Sequence, residues 1–356
     1  MIDSNLRSLN EEEMAHVVKE MKAQRFRAKQ LFEWVHGKNV TEFAEMSNLG
    51  KNFLADLSKN YDLGHNKIIK RQVSADGTEK YLLELSDGEA VECVLMRYRG
   101  DFSKKRNTIC VSSQVGCAMG CTFCATGQSG FVRNLSAGEI VGQIYEVNHL
   151  LATEGAESIG NVVFMGMGEP FLNWDNVYKA IKLLNDKNGQ NIGIRRISLS
   201  TCGIAEGIRK LADSGLDITL AVSLHAATDS ERSKIMPINE RIPLGELMAA
   251  CSYYQKKAKK RITFEYALMA GKNDSAGNIM ELKNLLKELD CHVNIIPVNP
   301  VADTKSIFRP EKKAVSDFAK ALKKAGINCS VREEKGLDID GACGQLRGKI
   351  AKKGLF

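Results

Sequence analysis

The chain has 356 residues, of which 44% are hydrophobic and 26% charged, and 50 lysines and arginines against 43 aspartates and glutamates leave a formal charge of +7. That composition excludes a disordered or fibrous protein, and the length fits one large core or a core with a smaller module, since single cores stop growing at roughly 250 to 300 residues. The basic excess favours a polyanionic partner by steering, although a lysine-rich soluble enzyme carries the same balance.

The opening stretch MIDSNLRSLNEEEMAHVV carries acids and no apolar h-region. No apolar run approaches the roughly 18 residues of a membrane span, so a cytoplasmic protein without membrane contact is the expectation. Residues 1–62 read as a small helical module: NEEEMAHVVKEM, then FRAKQLFEWVH ended by Gly37, then shorter pieces at VTEFAEM and KNFLADLSK. The spacing predicts Phe26, Leu31, Phe32 and Val35 on a core face. Lys22, Arg25, Arg27, Lys29 and Lys38 crowd nearby, as a grip for a phosphate backbone or as a solvated charged face.

Residues 63–102 change period. KIIKRQV, EKYLLEL and AVECVLM are strand-like and joined by turns at Asp76-Gly77 and Asp87-Gly88, which predicts a short antiparallel extension leading into the main domain. From 103 to 335, strand-like TICVSS, IGNVVFMG, RRISLST, ITLAVSL, ITFEYALM and HVNIIPV alternate with helical patterns such as NVYKAIKLLN, LGELMAACSYYQ and DFAKALKKAG. Ser136 with Glu139 supplies a capping box before IVGQIYEVNHLL. Such units imply parallel strands with helical crossovers, an α/β layer or a partial barrel. A last segment, 336–356, carries Cys343 and ends in the basic RGKIAKKGLF.

Ligands of such folds bind at the carboxyl ends of the strands. There the polar exceptions stand: a cysteine run after the first strand, GMGEP after the second, Ser200, then Ser223-Leu224-His225, and Asn299 after the sixth. The run CAMGCTFC places Cys117, Cys121 and Cys124 three and then two residues apart with no second knuckle, which disfavours structural zinc. Thiolates also select iron–sulfur clusters, and three ligands on a cubane leave one iron open.

C-x3-C-x2-C after the first strand of an α/β domain, with Phe123 beside the last cysteine and GMGEP after the next strand, resembles the radical S-adenosylmethionine superfamily. The resemblance implies a partial (β/α)6 TIM-like barrel and one [4Fe-4S] cluster on Cys117, Cys121 and Cys124. Its open iron would chelate S-adenosyl-L-methionine for one-electron cleavage to a deoxyadenosyl radical. CVSSQVGCAMGCTFCATGQSGFVRNL, FMGMGEPFLN, AVSLHA, ERSKIMPIN and GLDIDGACGQL are more closely similar to the bacterial dual-specificity RNA adenine C2-methyltransferases. Those enzymes methylate an adenosine of 23S rRNA at the peptidyl-transferase centre and adenosine 37 of certain tRNAs.

The resemblance implies that Cys343 takes a methyl group from one S-adenosylmethionine. A radical made from a second abstracts hydrogen from that S-methylcysteine, and the carbon adds to the base. Cys110 then resolves the adduct through a transient disulfide bond with Cys343, and Glu92 matches the general base. Cofactor contacts fall on Gly166, Gly168, Glu169, Ser200, Ser223, Leu224, His225 and Asn299, with Glu169 receiving the ammonium. Cys93, Cys202, Cys251, Cys291 and Cys329 are expected in the core. Arg195, Arg196 and Arg232 would be phosphate contacts or surface ion pairs.

The same resemblance implies a flavodoxin- or ferredoxin-like electron donor, and a monomer is the expectation for the chain. Its nearest rival is a C8 methyltransferase acting on the same rRNA adenosine. A different class, an RNA-binding assembly factor with a structural cluster, would share the basic surface but cleave no cofactor.

Overall fold

The computed structural model describes residues 3–64, 66–98, 105–299, 301 and 307–348. The basic tail expected from 349 onward lies outside the described residues.

In the N-terminal module, α1 (Glu11–Glu20) starts at Asn10, whose side chain takes the Glu13 amide while the Glu13 carboxylate takes the Asn10 amide. This reciprocal cap satisfies two otherwise orphan donors. A second helix, α2 (Phe26–Phe32), runs on through a π turn at Glu33–Gly37, and α3 (Lys51–Leu57) closes the module. Ala28, Leu31, Phe32 and Val35 are buried, but Phe26 is 57% exposed, against expectation. Five residues before Leu31 at 100° each places it about 140° round the helix from the core stripe.

Three antiparallel strands follow as predicted: β1 (Lys67–Val73), β2 (Glu79–Glu84) and β3 (Ala90–Tyr98). They are not a separate linker. Strand β3 pairs antiparallel with β4 (Arg106–Cys110), so the extension is one side of a single ten-stranded sheet.

Beyond β4 the sheet continues in parallel through β7 (Asn161–Phe164), β8 (Ile197–Thr201), β9 (Thr219–Ser223), β10 (Ile262–Leu268) and β11 (Cys291–Pro297), the six strands expected. A seventh, β12 (Cys329–Val331), joins at the edge, too short to show a period. Crossovers use α5 (Ala137–Thr153), α6 (Trp174–Asn185), α7 (Ala205–Asp213), α8 (Asp229–Ile235), α9 (Leu244–Ala258), α10 (Ala276–Leu286) and α11 (Lys312–Lys324). The expected Ser136–Glu139 box caps α5. An unanticipated hairpin, β5 (Gln114–Gly116) with β6 (Phe131–Asn134), brackets the cysteine run and the short α4 (Ala125–Gln128).

The N-terminal module rests on α5. Buried His36 bridges the Tyr145 hydroxyl at 2.7 Å and the Leu9 carbonyl at 2.9 Å, and Arg7, wholly buried, pairs with Glu146 at 2.8 Å. Burial holds the His36 ring neutral, its pKa lowered to about 3. One continuous apolar core joins Leu31, Phe32 and Val35 to Tyr145, Ile109, Leu199 and Phe264.

Candidate active site

The parallel strands carry their polar residues to one rim. A cavity of about 960 Å³, counting its open mouth, is lined there by Cys117, Cys121, Cys124, Gly166, Gly168, Glu169, Ser200, Ser223, His225, Asn299 and Cys343. The sequence separation within this set exceeds two hundred residues, so it is the barrel topology that assembles it.

The cysteine loop is fastened on three sides. Cys117 N–H donates to the Gly130 carbonyl at 2.8 Å within the β5–β6 hairpin, and Thr122 N–H donates to Ile235 at the end of α8 at 3.0 Å. Phe123 stands edge-on to the His225 ring with centroids 4.8 Å apart. Burial pushes the Cys117 thiol up to about 12 and raises Cys121 also. A metal binding these thiols must displace their protons.

Among the described residues no group of three ligands converges as it would on a single metal ion. Thiols that each take a different iron of a cubane need not converge, and a soft three-thiol set fits such a cluster. A second observation fits a polar ligand. Among the described residues the Glu265 Oε2 atom, buried at this cavity, has no hydrogen-bond partner, and Arg332 Nη1 stands 3.9 Å from it. An orphaned buried carboxylate oxygen is costly unless something else completes it. Sequence reasoning passed over both Glu265, inside an apolar strand, and Arg332.

Several rim residues are already engaged. Glu169 accepts from Cys202 N–H at 2.7 Å and Phe171 N–H at 3.1 Å, and burial raises its pKa. His225 Nδ1 accepts from Ala267 N–H at 2.9 Å, and burial lowers its pKa to about 3, leaving a neutral ring. The glycines serve the protein itself: a Cβ on Gly166 would sit 2.6 Å from the Val111 carbonyl oxygen, and Gly168, at φ +99°, would strike Gln114.

Other expectations need correction. Leu224 packs its side chain into the apolar core between the cavity-lining Ser223 and His225, which leaves only its backbone near the cavity. Cys202 is buried in an apolar cluster with Cys121, as expected, and also borders the cavity. Arg232 is wholly buried, so it meets no phosphate, whereas Arg195 is exposed and paired with Asp217.

Cys343 is exposed at the partition between this cavity and a second of about 780 Å³, lined also by Cys110, Met96, Met165 and Arg332. Burial pushes the Cys110 thiol up to about 12, opposed by the Arg332 charge. The Cys343 carbonyl accepts from Asn299 Nδ2 at 3.1 Å, and the Gly344 carbonyl from Ala125 N–H at 2.7 Å, so the helix following Cys124 holds the segment that bears Cys343. All ten cysteines are free thiols, so the expected disulfide is not a feature of this state.

Glu92 does not reach either cavity. Its carboxylate accepts from the Arg347 and Gly348 amides at 2.6 and 3.2 Å and pairs with Lys80 at 3.2 Å, so it is held by the protein and not solvated.

An open α/β barrel whose strand ends bear three clustered cysteines and a Gly-rich second loop defines the radical S-adenosylmethionine class. The model of the Radical SAM superfamily matches residues 111–282, and that of the ribosomal RNA large subunit methyltransferase N-terminal domain matches residues 4–62. The chain is 46% identical over 97% of its length to the "Probable dual-specificity RNA methyltransferase RlmN" of Desulfitobacterium hafniense, 96% of which is covered. It is 45% identical to that of Clostridium perfringens with 99% of both chains covered. The crystal structure of a radical SAM methyltransferase from Sphaerobacter thermophilus superposes with a TM-score of 0.92 at 40% identity, covering 98% of this chain and all of that one. The chain belongs to the dual-specificity RNA methyltransferase family, whose members are S-adenosylmethionine-dependent enzymes. Membership implies a [4Fe-4S] cluster, S-adenosylmethionine and an RNA substrate, and no helix among the described residues is long and apolar enough to cross a membrane.

Proposed function

We propose that the protein methylates C2 of adenosine in 23S rRNA and at position 37 of tRNAs through an S-methylcysteine at Cys343, using two S-adenosylmethionine molecules per methyl group. The observation that carries this reading is the place of Cys343, between a cavity bearing Cys117, Cys121 and Cys124 and a cavity bearing Cys110.

Adenine C2 is an amidine carbon with no nucleophilic character, so direct attack on a sulfonium methyl is closed to it. The cluster, held by Cys117, Cys121 and Cys124, supplies when bound the single electron that makes a hydrogen-abstracting species from the cofactor. The chain's own groups do the rest. Glu169 and Glu265 offer carboxylate oxygens to the cofactor's ammonium, and Ser200, Ser223 and neutral His225 offer hydroxyl and ring atoms to its polar edges.

Cys343 Sγ attacks the sulfonium methyl carbon, losing its proton as S-adenosylhomocysteine departs. The carbon that joins C2 leaves an odd-electron adduct, which would give up one electron to the oxidised cluster and its C2 proton to a base before Cys110 Sγ attacks the Cys343 sulfur. The S–S bond forms as the S–C bond breaks, its electron pair leaving with the carbon, and a dithiol reductant restores both thiols. Glu92 acts as base on C2–H once the Arg347 and Gly348 amides release it. The basic face of residues 22–38 grips the RNA backbone. An acidic flavodoxin- or ferredoxin-like protein delivers the electron to the monomer.

The test is mass analysis of the Cys343 peptide after anaerobic incubation with isotopically labelled S-adenosylmethionine. One labelled methyl on Cys343 is expected, and labelling on another residue, or none, overturns the carrier assignment.

A further inference from the structure

Arg232, on α8, is the largest charged side chain besides Arg7 buried to 0% exposure. Its guanidinium donates from Nη2 to the Cys202 carbonyl at 2.6 Å and the Ser223 carbonyl at 3.1 Å, from Nε to the Leu224 carbonyl at 3.1 Å, and from Nη1 to Asn239 Oδ1 at 3.1 Å. Three of those acceptors are backbone carbonyls at or just past the ends of β8 and β9, where the cavity-lining Cys202, Ser223 and His225 stand. The same helix ends at Ile235, whose carbonyl takes Thr122 N–H of the cysteine loop at 3.0 Å. One short helix therefore ties the cysteine loop and two strand ends into a single brace.

Among the described residues the charge has no bonded counter-ion. Asp229 is reached only through the Asn239 amide, which accepts from Arg232 on one side and donates to Asp229 Oδ1 at 2.9 Å on the other. Carbonyl dipoles solvate the guanidinium, but a fully buried cation with no carboxylate against it is expensive unless negative charge lies close by. Cys202, whose carbonyl the guanidinium holds, shares one apolar cluster with Cys121, Ile235 and Met236, so the buried charge stands beside the cysteine loop. A cubane on three thiolates is anionic, and becomes more so on taking up an electron.

We propose that Arg232 is a positioning residue that fixes the β8 and β9 ends as the floor of the cofactor cavity and supplies the buried positive charge that stabilises the reduced cluster. The two roles separate by substitution. Lysine keeps the charge but gathers its donors on one atom and loses the planar fork that spreads over Nε, Nη1 and Nη2, whereas glutamine keeps polar bonding and removes the charge. The inference rests on the cluster-binding reading.

Iron and sulfide are first measured on the reconstituted native protein, so that failure of that reading appears as native protein without a cluster. Reductive titration with dithionite and mediators, followed by the paramagnetic signal of the reduced cluster without cofactor, then compares loaded R232Q and R232K. In R232Q the reduced-to-oxidised ratio at a fixed potential should fall about tenfold, which is about 59 mV for a one-electron couple. In R232K it should stay within about twofold of native, while the dissociation constant for S-adenosylmethionine, measured by equilibrium dialysis, rises roughly fivefold or more.

A loaded R232Q with the native ratio overturns the electrostatic role. An R232K with native affinity overturns the positioning role. Should R232Q fail to fold or load, R232K alone decides: a displaced ratio despite the retained charge contradicts the proposal.

Discussion

The two sides of the cavity are built differently. The strand-end rim is rigid: Glu169, His225 and Arg232 are buried and each holds backbone atoms of a neighbouring strand end. The opposite side is a strap, residues 336–348, laid across the mouth and held at separate points. Asp338 takes the Ser74 hydroxyl at 2.5 Å, the Asp340 carbonyl takes Lys80 at 3.1 Å, and the Leu346 carbonyl takes the Thr126 hydroxyl at 2.6 Å. Gly336 and Gly344 both have positive φ, which suits a chain that bends sharply. A preorganised floor suits a cofactor that must be placed accurately, and a strap suits a thiol that must visit cofactor, base and Cys110 in turn.

Substitutions should therefore fail differently on the two sides. The largest effect is expected from Cys343→Ala, which should cut methylated RNA by roughly a thousandfold or more while iron content and melting temperature stay native. Normal turnover would break the contrast at once. Cys110→Ala should form the carbon–base bond yet release no product, leaving an RNase-sensitive covalent adduct visible on a denaturing gel. Its absence would move resolution away from Cys110.

On the rim, Gly168→Ala should act through stability instead. It adds a Cβ 2.6 Å from Gln114 at φ +99°, a cost of about 1–3 kcal/mol, read as a melting temperature lowered by a few degrees. The smallest effect is pH-dependent. His36 and His225, folded, have pKa values lowered to about 3 against an ordinary 6.5. The unfolded chain gains protons first on acidification, so stability is lost as pH falls from 6.5 toward 3. The acid slope of the melting temperature should be shallower in His36→Gln than in the native protein.

The rim was legible in sequence because its polar residues end apolar strands, where a side chain such as Ser200 or His225 has no reason to be. The cysteine triplet was legible through its spacing. The strap and the braces were not. Arg232 within a polar helix looks solvated, Glu265 within an apolar strand looks like an ordinary exception, and the amides that hold Glu92 belong to residues 255 and 256 positions away. The β5–β6 hairpin has strands too short for a period to declare itself, and Phe26 shares the composition of a core residue without sharing its angle.

The most direct test is to incubate reconstituted, reduced protein with unmodified RNA and S-adenosylmethionine, digest the RNA, and resolve the methyladenosines by chromatography and mass spectrometry. The account predicts 2-methyladenosine accompanied by 5'-deoxyadenosine, both only under reduction. Exclusive 8-methyladenosine, or methylation without deoxyadenosine release, would contradict it.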